Sequence, residues 1–255
     1  WENENFDQIY ITHTPVYDLL AKFHDPDPEK TRYIKTWGNH DLYWKDHQDI
    51  YQSLFPGIQI YDAVLLNNAI LMIHGHQADP MCSGPVAAVS QFFVNHIWAD
   101  LQRGGIKDPT RAATNPGLCN EVDERLHEWA SQNGKSITAI IAGHTHRAVF
   151  ENLSLTELRL QTLHFTMDDA AHFQERRDHR YYNTGSCVHP ASVTGIEITF
   201  NEGPHLDMVE WGLATEGHRI TVKGEDFPFL FPDIKPSGSK KNIFVKIPRF
   251  TITPS

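Results

Sequence analysis

The sequence predicts an α/β fold, because short apolar runs typical of buried strands alternate with helical patterns, and three of these runs end in the same kind of loop. Each loop is polar and rich in glycine and histidine. The loops are GNHD at 38–41, HGH at 74–76 and GHTH at 143–146, after the apolar runs 32–37, 69–73 and 136–142. Because ligands of open α/β sheets bind beyond the carboxyl ends of the strands, we expect the loops to converge at one sheet edge.

The residues around the first two loops predict further helices and strands. Apolar side chains recur at helical spacing over 15–23, and the prolines of the segment 25–28 end that pattern. Asn67-Asn68 predicts a tight hairpin turn into the strand that ends at Ile73. The other elements expected here are a short helix at 46–55 and strands at 58–61 and 63–66.

Two helices are predicted between the second and third loops. Pro85 suits the first position of a helix, and apolar residues then repeat at three and four over 85–103. This helix either packs in the core or forms, with its flanking loops, a lid over 81–119. Asn120 is expected to cap the next helix, which Gly134 ends.

Strands alternate with loops after residue 147. They are expected at 148–150, 158–163, 180–183, 193–200 and 206–211, with an irregular charged connection at 168–178. Beyond residue 216 the composition shifts to Phe, Pro, Lys and Ser with little periodicity. We therefore expect one domain over 1–215 and a C-terminal extension over 216–255, which forms an arm or a homo-oligomer contact.

The GHTH loop carries two histidines two positions apart, His144 and His146. In extended backbone such residues point to the same side, so both rings can face one point beyond the strand. Neutral imidazole is the commonest metal ligand among the side chains. Two surface histidines on a turn are the alternative for this loop alone, and its recurrence beside two similar loops favours a metal site.

The three loops resemble motif blocks of a known family. GNHD at 38–41, His74 in the HGH loop and GHTH at 143–146 are similar, in order and spacing, to blocks of the calcineurin-like metallophosphoesterases. NTGS at 183–186, which often follows the last histidine block, is present too. The resemblance covers about residues 30–211 and implies a four-layer α/β/β/α sandwich with two mixed sheets. The UDP-diacylglucosamine hydrolases, a branch that the chain resembles, carry an insertion where the lid is predicted.

The opening blocks of that family, Asp-x-His and Gly-Asp, do not occur in this sequence. Residues 1–6 resemble sequence just downstream of the Gly-Asp block. We therefore expect the first strands of the fold, the bridging aspartate and the remaining ligands of the second metal to lie upstream of Trp1.

The resemblance implies two divalent metal ions, one bound by Asn39, His74 and His144 and the other by His146. Manganese is favoured, and iron, zinc, cobalt and nickel also suit nitrogen and oxygen ligands of this kind. The implied reaction is hydrolysis of a phosphate monoester, diester or pyrophosphate by attack of a metal-bound hydroxide.

The same resemblance assigns the remaining site residues. His40 would act as the general acid, and the neighbouring Asp41 would orient its ring and favour the imidazolium. The candidate phosphate contacts are His76, Arg147 and Asn183.

Composition excludes several other classes of protein. A net charge of −10 argues against a general nucleic-acid-binding surface. No apolar run approaches the roughly 18 residues of a membrane span. Three widely spaced cysteines form no zinc pattern and no disulfide framework, which fits a reducing compartment and hence the cytoplasm.

Two other functions compete with a phosphoesterase. HGHQAD at 74–79 superficially resembles the metal motif of metallo-β-lactamases, but Asp79 stands one position late and Pro80 replaces the next histidine, so we reject that assignment. A non-catalytic scaffold with the metallophosphoesterase fold, binding a partner protein, is the remaining alternative. The retention of Asn39, His40 and the loop histidines favours the enzyme.

Overall fold

The protein is mixed α/β, as expected, and its structure is a computed structural model. The described residues are 2–27, 30, 33–39, 46–80, 82, 115–133, 137–150, 181–187, 192–200, 205–212, 216, 218, 220–226 and 244–247. The chain divides into a first unit of residues 1–64 and 246–250 and a second unit of residues 65–245 and 251–255. The predicted boundary between a domain over 1–215 and an extension over 216–255 stays a prediction.

The first unit begins with a helix that is longer than the sequence pattern indicates. Helix α1 spans Glu2–Ala21 and includes Pro15. A proline inside a helix leaves the carbonyl oxygen four residues earlier without its amide donor. The hydroxyl of Thr14 donates to that oxygen, on Ile11, at 3.2 Å and to the oxygen of Tyr10 at 2.8 Å. This local replacement explains how the helix continues through the proline.

The strand that leads to the GNHD loop lies in a small sheet of its own. Strand β1 (Lys35–Thr36) pairs in parallel with β2 (Ile60–Tyr61), and helix α2 (Gln48–Leu54) lies between them in sequence. Their core is aromatic and aliphatic, and its buried members are Trp37, Tyr51, Phe55, Ile58 and Ile60. The expectation that all three loop-bearing strands share one sheet edge was therefore wrong for β1, because its hydrogen bonds go to β2.

The largest sheet has six strands in the order β11-β3-β4-β5-β7-β6. Its strands are β3 (Ala63–Leu66), β4 (Ile70–Ile73), β5 (Ala139–Ala142), β6 (Ala148–Val149), β7 (Tyr181–Thr184) and β11 (Phe244–Ile247). The boundary between the units falls within β3. Strands β4, β5 and β7 are parallel neighbours, and β6 runs antiparallel to β7.

A second, antiparallel sheet packs on the first within the second unit. It has the order β10-β9-β8, with β8 at Ser192–Thr199, β9 at His205–Gly212 and β10 at Ile220–Asp226. Leu206 and Met208 from this sheet share a buried cluster with Ile70, Ile141 and Tyr182 of the larger sheet. Burying a side chain of this size stabilises the fold by about 1.5–3 kcal/mol relative to exposure, so this cluster holds the two sheets together.

The backbone at Asn67 and Asn68 has the conformation that the sequence predicts. Their φ angles are 51° and 56°, and the chain turns there between β3 and β4. Positive φ at both central residues is what a tight hairpin turn of this kind requires, and asparagine tolerates it better than most residues. The predicted hairpin is therefore confirmed.

The long helix of the second unit begins earlier than expected. Helix α3 spans Pro116–Asn133, and the side-chain oxygen of Asn115 accepts from the amides of Gly117 and Leu118 at 3.1 and 3.2 Å. The cap is therefore Asn115 with proline at the first helical position, and not Asn120. The sequence prediction placed the start too late because Pro116-Gly117 looked like a loop.

Other expectations lie outside the described residues, namely the helix at 85–103, the strand at 158–163 and the connection at 168–178. Of the predicted lid over 81–119, the structure describes only Cys82 and residues 115–119, and residues 116–119 are the start of α3. Strands β10 and β11 lie within the predicted extension, where the sequence pattern indicated no strand. Within the described ranges, no helix is both long enough and apolar enough to cross a membrane. The three cysteines are free thiols.

Candidate metal centre

The loops that follow the parallel strands β4, β5 and β7 lie at one edge of the large sheet. Met72 on β4 is level with Ile141 on β5, and Ala142 on β5 is level with Asn183 on β7. The residues that follow these positions, among them His74 and His144, therefore leave the sheet side by side at its carboxyl edge. For these two loops the predicted convergence is confirmed.

Three imidazole rings gather at this edge. The ring of His74 lies 5.2 Å from that of His144 and 5.4 Å from that of His76, measured between centroids. The rings of His76 and His144 are 6.5 Å apart. His76 and the side chain of His144 are buried, and His74 is half-buried. Such a cluster concentrates nitrogen ligands of the type that divalent transition metals prefer.

The two histidine loops touch through their backbones. The amide of Gly143 donates to the carbonyl oxygen of His74 at 2.9 Å. Gly75 has φ +111°, and a Cβ atom there would lie 3.1 Å from both the Gly143 oxygen and the His144 Cβ. Glycine is therefore required at position 75 for two reasons, its backbone angle and the close approach of the other loop.

The backbone of the GHTH loop is not extended. His144 and His146 both have positive φ angles, 69° and 54°. The expected alternation of side chains along an extended backbone was therefore wrong, because the chain turns sharply after β5. The ring contacts of the cluster join His144 to His74 and His76, and the predicted metal-binding role of His146 stays a prediction.

The sequence reasoning did not identify Asp79 as a member of this site. Its carboxylate is fully buried, and Oδ2 lies 2.7 Å from Nε2 of His144. A single 3₁₀ turn at His76–Ala78 returns the chain so that Asp79 faces the cluster. The segment HGHQAD at 74–79 places Asp79 close in sequence to two histidines, and this closeness was the sequence signal for its place in the site.

Cys82 adds a thiol beside the same carboxylate. Its amide donates to the Asp79 carbonyl oxygen at 3.0 Å, and its side chain is hydrogen-bonded to the Asp79 carboxylate. Burial, with the negative charge of Asp79, raises the pKa of Cys82 to about 12. Without a metal ion beside it, Cys82 is therefore a neutral thiol near pH 7 and a poor nucleophile.

Asn183 ties the end of β7 to the GHTH loop. Its Nδ2 atom lies within hydrogen-bond distance of the Gly143 carbonyl oxygen (2.6 Å), the Thr145 hydroxyl (3.0 Å) and the Tyr181 hydroxyl (2.9 Å). Its Oδ1 atom accepts from the amide of Gly185 at 3.0 Å. The side chain is fully buried, so these contacts hold the loop in position; the predicted phosphate contact stays a prediction.

Arg147 makes its described contacts inside the protein. Its guanidinium donates to the Asp123 carboxylate and to the side-chain oxygen of Asn120, the latter at 2.8 Å, and both partners lie on α3. Burial, the largest single effect, would lower the pKa of Arg147, but the combined effects of its neighbours, with Asp123 foremost, raise it. The phosphate contact predicted for Arg147 stays a prediction, and its observed contacts anchor the loop to the helix.

Tyr181 completes this buried network. Its hydroxyl donates to Asp123 Oδ1 at 2.6 Å and accepts from Asn183. Burial and the adjacent carboxylate raise its pKa well above the ordinary value. A continuous set of hydrogen bonds therefore runs from Asp123 on α3 through Tyr181 and Asn183 to Gly143.

The other predicted site residues are not part of this cluster as described. Asn39 is half-buried three residues after β1 ends at Thr36, and it belongs to the first unit. His40 and Asp41 lie outside the described residues. Compared with family models, curated proteins and solved structures, the chain shows no significant match to any of them.

Proposed function

We propose that this protein is a metal-dependent phosphoesterase of the calcineurin-like type, built as a four-layer α/β/β/α sandwich. The observation that carries the proposal is the meeting of His74, His76 and His144 at the carboxyl ends of β4 and β5, with ring centroids no more than 6.5 Å apart. Two of these histidines lie in loops that resemble metal-binding blocks of that family. The resemblance alone would be weaker support if the two loops were distant.

The donor set fits divalent metal ions. Three clustered imidazoles would repel one another if protonated, whereas neutral rings next to a buried carboxylate form a typical ligand environment. Bound divalent ions would activate water and neutralise charge on the phosphoryl oxygens. We propose two ions, with manganese favoured, held by Asn39, His74, His144 and His146.

Each candidate site residue has a distinct role in the proposed reaction. His40 donates a proton to the leaving group, and Asp41 orients its ring. His76 contacts the phosphate of a small-molecule ester, diester or pyrophosphate. Arg147 and Asn183 hold the GHTH loop in place through their contacts with Asp123 and Gly143, in addition to the phosphate contacts predicted for them.

The decisive experiment is a hydrolysis screen with phosphate mono- and diesters and pyrophosphates in the presence of Mn²⁺, and in parallel with Zn²⁺ and Co²⁺. We expect the native gene product to show turnover that a chelator abolishes and that His74→Ala lowers by about tenfold or more. His13→Ala, on the exposed face of α1, is the matched control and should retain full activity. Absence of turnover with every metal and substrate would contradict the proposal and favour the non-catalytic scaffold.

The role of His40 has its own test. A general acid contributes about 10²–10⁴-fold to turnover, and less for esters whose leaving groups need no proton. We therefore expect His40→Ala to slow hydrolysis of an alkyl phosphate much more than that of a nitrophenyl phosphate, with unchanged metal content. Equal losses on both substrates would exclude the acid role while leaving the phosphoesterase proposal intact.

A further inference from the structure

We propose that Asp79, Cys82 and His144 bind one Zn²⁺ ion, or a similar ion that accepts thiolate ligands, through an oxygen, a sulfur and a nitrogen atom, respectively. Among the residues that the structure describes, one ligand atom from each of these side chains lies within 4.8 Å of the other two. Asp79 and Cys82 belong to no block of the family resemblance. The site shares His144 with the proposed phosphoesterase centre but does not depend on phosphoester hydrolysis.

The local chain geometry holds these ligands together. The Asp79 amide donates to the His76 carbonyl oxygen at 3.0 Å, and the Cys82 amide donates to the Asp79 carbonyl oxygen at the same distance. These consecutive turns keep the thiol and the carboxylate on one side of the segment. His144 then approaches from the neighbouring strand, with Nε2 2.7 Å from Asp79 Oδ2.

The burial of Asp79 supports a bound cation. Its side chain is only 1% exposed, and that of His144 only 7%. Exclusion of water from such a place strengthens the attraction between a cation and its carboxylate ligand. A divalent ion would use the carboxylate, the imidazole and a thiolate as ligands.

The sulfur atom determines the class of metal. Thiolate ligands favour zinc and related borderline or soft ions over magnesium and manganese. Zinc accepts Cys sulfur, His nitrogen and carboxylate oxygen, and its catalytic sites combine three protein ligands with a position open to water. The proposal therefore differs from the manganese preference that the family resemblance implies.

Cobalt substitution tests the proposal directly. The protein, stripped with a chelator and titrated with Co²⁺, should bind the ion and develop a thiolate-to-cobalt charge-transfer band in the near ultraviolet. Cys82→Ser should remove the band. Asp79→Asn, which removes a charged ligand, should weaken Zn²⁺ binding by about 10-fold or more, since loss of even an outer-shell partner typically costs about 10–100-fold. Circular dichroism of each variant will show whether it remains folded.

The other two cysteines provide matched controls. Cys119 is buried on α3 and Cys187 is exposed after β7, so Cys119→Ser and Cys187→Ser should keep the band. A Co²⁺-loaded protein without the band, or with a band that persists in folded Cys82→Ser, would overturn the proposal. A band without phosphoester hydrolysis would support this site and contradict the proposed function. Mn²⁺-dependent hydrolysis without the band would support the proposed function and overturn this site.

Discussion

The side-chain amide of Asn183 lies 2.6 Å from the carbonyl oxygen of Gly143, and this contact joins the carboxyl ends of two parallel strands. The two residues are 40 positions apart in sequence. Gly143 precedes His144 directly, so the amide of Asn183 determines where the histidine loop leaves the sheet. The position of the candidate metal centre therefore depends on a buried side chain of β7.

Asn183→Ala should destabilise the protein by about 1–3 kcal/mol, because it leaves the buried Gly185 amide and the half-buried Gly143 oxygen without their partner. Asn133→Ala is the matched control: its amide donates to Trp129 within α3, near the helix end, and its loss should change stability by no more than about 0.5 kcal/mol. Urea unfolding measures both values. Equal effects would show that the Asn183 contact does not constrain the loop.

Arg147→Gln should cost about 3–5 kcal/mol of stability, because the Asp123 carboxylate would remain buried without its cation. Adding Asp123→Asn should recover part of that loss, since a neutral amide needs no ionic partner. The exposed pair between Arg125 and Glu121 is the control, and Arg125→Gln should cost about 0.5 kcal/mol or less. Strictly additive losses in the double variant would argue against a direct Arg147–Asp123 interaction.

Gly75→Ala should cost more than Gly57→Ala by about 1 kcal/mol or more. Both glycines have positive φ, +111° and +83°, so both variants carry a backbone penalty of about 1–2 kcal/mol. Only at position 75 would the new methyl group lie 3.1 Å from the other histidine loop; at position 57 the nearest atom is 3.5 Å away. Thermal unfolding with histidine NMR spectra would test this, and an unchanged His144 signal in folded Gly75→Ala would contradict the close contact.

Tyr181 should make the stability of the protein decrease at alkaline pH. Its pKa is raised in the folded state by burial and by Asp123, so the folded protein holds the phenol proton more tightly than the unfolded chain does. The resulting stabilisation is complete below the unfolded pKa of about 10 and is lost as pH rises above it.

Tyr181→Phe removes this titration along with two hydrogen bonds. It should lower stability at pH 7 by about 1–3 kcal/mol and should flatten the decline between about pH 9 and pH 11. Unfolding free energies measured across that range for both proteins give the two slopes. Parallel slopes would mean that Tyr181 does not titrate differently in the folded state.

Local features were determined by the sequence itself. Short apolar runs predicted β4 and β5, and Asn67-Asn68 predicted the turn before β4, because backbone conformation at such places depends on neighbouring residues. The glycine and histidine loops at 74–76 and 143–146 were predicted at the carboxyl ends of their strands for the same reason.

Only the tertiary structure decided which strands pair and which polar groups meet. Strand pairing uses backbone groups that every residue carries, so the sequence pattern of β1 did not reveal that its partner is β2. Asp79 meets His144 across 65 residues, and Arg147 meets Asp123 across 24. Such contacts follow from the packing of whole elements, which brings together side chains whose sequence spacing carries no periodic signal.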